Sequence, residues 1–85
     1  MTPRSRVFQA LEEERAYQDA KPNHSVVQDA ATSVAAWLIY MEEHLARAKA
    51  HIYQMDAGSA LHEVRKVTAL GVACMEYQGA PRRIE

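Results

Sequence analysis

The chain has a single cysteine, Cys74, so no disulfide can form within it. A reducing cytosol is therefore the default compartment. Only three glycines and three prolines interrupt the chain, which leaves long stretches free of helix breakers. It contains no Gly-rich phosphate loop, no CxxC pair and no GxSxG elbow. The longest apolar stretch, Val67 to Met75, falls far short of the roughly 20 residues needed to span a bilayer. Arg4 and Arg6 are not followed by a long apolar run, so the sequence predicts no signal peptide and no membrane partner. An excess of one charge is also missing. Ten Lys and Arg stand against eleven Asp and Glu, interspersed, for a net charge of −1. With no basic tail or dense basic patch, a phosphate-tracking surface for nucleic acid is not expected.

What remains is a chain dominated by helix formers. Its 85 residues make one domain, 1–85, with a core at about 5–78. So short a chain buries only about 60–65% of its unfolded surface, so a lone monomer would be marginal. The expected fold class is all-α: three helices, with a bundle completed by oligomerisation.

The first helical block runs from Ser5 to Gln18, with Val7, Phe8, Leu11 and Arg15 as its inner stripe, and stops at Lys21-Pro22-Asn23. The second carries Val34, Leu38, Met41, Leu45, Ala48, Ile52 and Met55 at alternating spacings of four and three, a heptad seam. Ser33 can cap it; Ser25 is a rival start, and the sequence does not separate the two. The third block runs from Ser59, as N-cap, to Gln78, with Gly79 fitting the position after the last turn and Pro81 beyond it. It has two stripes: Leu61, Val64, Thr68, Gly71 and Met75, and Val67, Leu70, Cys74 and Tyr77. A helix apolar on two faces needs two partners. The expected dimer buries the second stripe. Gly71 costs about 1 kcal/mol relative to Ala in a helix, and a close helix–helix approach would explain it.

Two acidic segments carry the chemistry: Glu42-Glu43-His44-Leu45-Ala46 and Glu63-Val64-Arg65-Lys66. Glu63 heads the second stripe, so its carboxylate is expected to be partly buried and to need a partner: a metal, an Arg or a ligand hydroxyl. Glu42 flanks the seam, where it can also simply pair with Arg47 or Lys49. His44 and His51 lie seven apart on a row with Trp37, a spacing that does not suit zinc. Trp37 reads as core, or as a stacking platform for a base at the bundle mouth. Tyr40 and Tyr53 lie off the seam, and Cys74 reads as an inert buried thiol.

These segments resemble the EExxE…ExxD motif of the MazG-like, all-α nucleotide pyrophosphohydrolase superfamily. Glu14-Arg15-Ala16-Tyr17-Gln18-Asp19-Ala20-Lys21 is similar to the ERxxQDxK segment that opens many small relatives. Ser33 to Leu38 and Val64 to Glu76 are similar to the family's two core helices. The resemblance covers roughly 7–78. It departs where chemistry is concentrated: Ala46 and Lys66 stand where the motif has carboxylates, and Pro22 where many relatives carry Trp.

The resemblance implies a divalent-metal site at Glu42, Glu43 and Glu63, holding at most one weakly bound magnesium ion that keeps waters and uses substrate phosphates. Lys66 would fill the space and charge of a lost cation or touch a phosphate, and Tyr17, Lys21 and Trp37 would rim the pocket. The function implied is non-catalytic binding of a nucleotide or nucleotide-derived signal, sequestering or regulatory. A magnesium-dependent pyrophosphohydrolase is the alternative, and a protein-interaction or inhibitor module reusing the fold is the third. The pared-down form suggests a phage or prophage source, and a cytoplasmic homo-oligomer is expected.

Overall fold

The computed structural model describes residues 1–22 and 24–84. They form four helices and no strand: α1 (Pro3–Asp19), α2 (Val26–Ala31), α3 (Val34–Tyr53) and α4 (Ala57–Gln78). The all-α class is as expected; the number of helices is not. Ser25 and Ser33 are both helix starts. Ser25 Oγ accepts the Gln28 N–H, and Ser33 Oγ accepts the Ala36 N–H at 3.1 Å. Each satisfies an amide donor left open in a first helical turn. Thr32, between them, takes an extended backbone and ends α2 after six residues. With two competing caps, the continuous apolar stripe could not reveal the break.

Other boundaries also moved. Thr2 caps α1, with Pro3 in the first turn, where its missing N–H costs nothing. The Asn23 of the expected stop lies outside the described residues. Asp56, not Ser59, caps α4: its Oδ1 accepts the Ser59 N–H at 3.0 Å, and hydrogen bonding from the Ser59 side chain, then from that N–H, holds the carboxyl below its ordinary range. At the end of α3, Asp56 N–H reaches His51 O and Met55 N–H reaches Ile52 O. Those two bonds make a Schellman closure, with Met55 at φ 59° where glycine is usual. Gly79 closes α4 at φ 109°.

α3 and α4 form an antiparallel hairpin, since Trp37 near the start of α3 stacks on Tyr77 near the end of α4. α1 packs against α4, and Gln78 Nε2 donates to Thr32 O at 2.6 Å, tying the α2–α3 junction to the end of α4. The buried apolar residues are Leu11, Trp37, Ala48, Ala60, Ala69 and Ala73, and no large side chain is fully enclosed.

The inward face of α3 is not the heptad seam. It is the row one residue round, Trp37, His44 and His51, together with Ala48 of the seam; Trp37 and Ala48 are buried. From the seam only Ala48 is buried and Met41 half-buried, while Val34, Leu38, Leu45, Ile52 and Met55 are exposed. On α1, Leu11 and Arg15 face inward as expected but Val7 and Phe8 do not. On α4 the stripes exchange roles. Val67, Leu70, Cys74 and Tyr77 are half-covered within the chain, and Leu61, Val64 and Met75 lie open. Two helices in contact claim each other's nearest faces, and residue type alone could not say which of two apolar rows α3 would take. No helix of the described residues is long and apolar enough to cross a membrane.

Candidate functional site

A cavity of about 290 Å³ opens where the C-terminal half of α1, the segment leading into α2, and the inner faces of α3 and α4 meet. Its walls include Tyr17, Lys21, Trp37 and Lys66, together with Arg15, His24, Asp29 and His44; Leu70 and Ala73 supply apolar lining. The four side chains expected to meet a ligand come from three helices and the turn after α1, and they share this one cavity.

The charged groups differ in how firmly they are held. Arg15 is saturated. Its Nε and Nη2 donate to both oxygens of Glu76 at 2.8 and 3.0 Å, Nη1 donates to Gln18 Oε1 at 3.0 Å, and Asp19 lies 3.1 Å away. The hydrogen bond to Glu76 raises the guanidinium pKa above its ordinary value, and the same bond lowers the Glu76 carboxyl. Glu14 accepts from Arg65 Nε at 2.8 Å. His24 lies between Asp19 and Asp29, at 3.6 and 3.1 Å.

The two lysines are held loosely. Lys21 Nζ lies over the Tyr17 ring, 5.7 Å from its centroid, and Lys66 Nζ is 3.7 Å from Glu63 Oε1. Beyond hydrogen-bond length, an ammonium keeps donors for another acceptor. Trp37 is 5% exposed, stacks on Tyr77 with centroids 6.2 Å apart and meets Tyr40 edge-on at 6.3 Å. Its indole Nε1–H is buried and has no partner among the described residues. Such an orphan donor costs free energy until an acceptor reaches it.

Behind the lysine lies the group that sequence reasoning underrated. His44 Nδ1 lies 2.7 Å from Glu63 Oε2. Glu63 is 8% exposed, so the expectation of a buried carboxylate needing a partner holds; the partner is a histidine, assisted by Lys66. The His44 hydrogen bond lowers the Glu63 pKa, against the opposing effect of burial, and the Lys66 charge adds to it. The signal was present in the row Trp37, His44, His51: it is the inward row of α3, so His44 had to meet α4.

Glu42 and Glu43 do not join Glu63. Both are exposed on α3, and among the described residues no three His, Cys, Asp or Glu side chains gather in a group able to hold a metal ion. Glu63 is itself committed to His44 and Lys66. These three carboxylates therefore do not fit the magnesium set that the resemblance implies. Tyr40 and Tyr53 are exposed and Cys74 is half-buried and free. Comparison with protein-family models, with curated proteins and with solved structures gives no match.

Proposed function

We propose that this chain is a non-catalytic binder of a nucleotide or nucleotide-derived phosphate, a degenerate MazG-like domain acting by sequestration or regulation. The observation that carries the reading is the convergence of Tyr17, Lys21, Trp37 and Lys66 on one cavity. Two loosely held ammonium groups are suited to phosphate oxygens, and the exposed Tyr17 ring to the face of a base. A cavity of about 290 Å³ lies at the lower end of small-molecule sites, which favours a mononucleotide or smaller over a dinucleotide.

The non-catalytic part rests on the sequence: Ala46 and Lys66 replace carboxylates that the resemblance calls for. Calorimetry of the purified chain against nucleoside mono-, di- and triphosphates, with and without magnesium, tests it. Binding of at least one phosphate-bearing ligand is expected. Lys66→Ala should then weaken it ten- to a hundredfold, as loss of a charge-assisted hydrogen bond of about 1.5–3 kcal/mol implies. Equal affinity in wild type and Lys66→Ala rejects the phosphate contact. Magnesium-dependent release of pyrophosphate that disappears in Glu43→Ala overturns the non-catalytic reading in favour of a hydrolase.

A further inference from the structure

The lysines in the cavity wall are donors; the wall also holds an acceptor. His44 lines the cavity from α3, and its Nδ1 lies 2.7 Å from Oε2 of Glu63, which stands behind that wall. The Nδ1 edge of the ring therefore faces away from the cavity. The edge that carries Nε2 is the one left to it, and among the described residues nothing bonds to Nε2.

Chemistry places the proton on this ring. The Glu63 carboxyl titrates below its ordinary value, so near neutrality it is ionised and can only accept. A 2.7 Å contact with it therefore needs the N–H at Nδ1. Arg47 Nη1, 3.4 Å from the same nitrogen, can only donate and does not compete for that position. In a neutral imidazole with its proton on Nδ1, Nε2 is an acceptor. The other charged groups around the cavity are occupied elsewhere. Arg15 is taken by Glu76, Glu14 by Arg65, and His24 lies between Asp19 and Asp29, while Lys21 lies over the Tyr17 ring. Lys66 Nζ stands 3.7 Å from Oε1, the second oxygen of Glu63. One buried carboxylate thus sets an ammonium donor and an imidazole acceptor beside each other on the wall.

We propose, on the reading of this cavity as a nucleotide site, that His44 Nε2 accepts a hydrogen bond from a sugar hydroxyl of the ligand and makes the site selective for nucleotides that keep that hydroxyl. An ionised phosphate offers acceptors, which suit Lys66 but not Nε2. Tyr17 stands on α1, whereas Lys66 and His44 stand on α4 and α3. A base stacked on Tyr17 with its phosphate on Lys66 leaves the sugar between them, beside His44. A sugar lacking the hydroxyl leaves Nε2 desolvated without a donor, which is how a polar site rejects a deoxy analogue. Glu63 acts through His44 as a positioning residue: by holding the Nδ1–H it fixes which nitrogen accepts. The 2′- and 3′-hydroxyls offer the same chemistry, and the experiment separates them.

The test is calorimetry at about pH 8, above the ordinary range of imidazole. Ribonucleoside mono-, di- and triphosphates are each compared with their 2′-deoxy and 3′-deoxy forms. Removing one of the two hydroxyls should weaken binding about three- to tenfold, the worth of one neutral hydrogen bond, and the form that does so identifies the hydroxyl. His44→Asn keeps an N–H near the position of Nδ1, so Glu63 retains a partner and the fold should survive. It has no atom at Nε2, so the preference should vanish. Nitrogen-15 spectra of the wild-type ring at the same pH should show its proton on Nδ1, and in Glu63→Gln that proton should redistribute between the two nitrogens. Equal affinity for the ribo and both deoxy forms overturns the inference and leaves the nucleotide reading standing. A preference retained in His44→Asn, or a wild-type proton on Nε2, does the same. A ring spectrum unchanged in Glu63→Gln overturns the positioning role of Glu63. Absence of binding by every nucleotide overturns both the inference and the reading on which it rests.

Discussion

α4 holds its two neighbours by opposite means. Against α1 the joint is polar: Arg15 clamps both oxygens of Glu76, Arg65 reaches Glu14 from the other direction, and the main apolar anchor is Leu11. Against α3 it is tight and apolar, built from small residues such as Ala48 and Ala60 and from the Trp37–Tyr77 stack, with His44–Glu63 as a polar bond across it. The first kind of joint fixes orientation, because a bidentate guanidinium–carboxylate pair accepts one geometry. The second supplies free energy, because buried area and close packing do not depend on one angle. The cavity sits between them, so its aromatic wall is held by packing and its α1 wall by charge.

Breaking the apolar joint should cost the most. Trp37→Ala removes a buried indole together with its stacked and edge-on partners. Loss of about 3–5 kcal/mol in urea unfolding is expected, as for other large aromatic truncations in cores. A loss below about 1 kcal/mol would mean that the α3–α4 joint is not the main source of stability.

The polar joint should break more gently. Arg15→Ala leaves Glu76 half exposed to water, so solvent recovers much of the lost interaction. A loss of about 1–2 kcal/mol is expected, since a hydrogen bond to a charged group is involved and Arg15 itself is buried. The distinguishing readout is local. Amide exchange should accelerate along α1 and hardly change in α3, where Trp37→Ala would loosen both α3 and α4. Uniform acceleration throughout would show that α1 is not separately docked.

Acid sharpens the same contrast. The Arg15 hydrogen bond lowers the Glu76 pKa, and the His44 hydrogen bond lowers that of Glu63. A carboxyl whose folded pKa lies below its unfolded value contributes stability that is complete above the unfolded value, about 4.3 for Glu, and is lost as pH falls through the folded value. Stability should therefore be level near neutrality and fall below about pH 4.3. Glu76→Gln and Glu63→Gln should each start lower at neutral pH and lose less on acidification. An acid limb unchanged in both variants would assign acid sensitivity to other carboxyls.

The contrast also explains how much was legible beforehand. Long breaker-free stretches of helix formers announced an all-α chain, and Arg15 was read as facing inward on α1. The grouping of Tyr17, Lys21, Trp37 and Lys66 around one cavity was legible as well, from the helix ends and faces that carry them. Less legible was which apolar row each helix would bury. The seam Leu38–Leu45–Ile52 is a better heptad than Trp37–His44–His51, yet α3 turns the poorer row to α4. Periodicity identifies a face able to be buried; it does not say whether this chain or another covers it. The same limit hid His44–Glu63, a bond visible only once the inward row is known.

The smallest expected effect concerns Gly71, which seemed to demand close helix approach. The geometry makes no such demand. A Cβ there would meet Met41 Sδ at 3.8 Å, an ordinary van der Waals distance, with a flexible thioether as neighbour. Gly71 has no positive φ, so alanine fits its backbone. Gly71→Ala should therefore gain from helix propensity and from a less entropic unfolded chain, with little packing cost, for about 0.4–1 kcal/mol of added stability. This would be the one substitution in the α3–α4 joint that stabilises, whereas truncations there destabilise. A measured loss would mean that Met41 cannot yield to the added methyl.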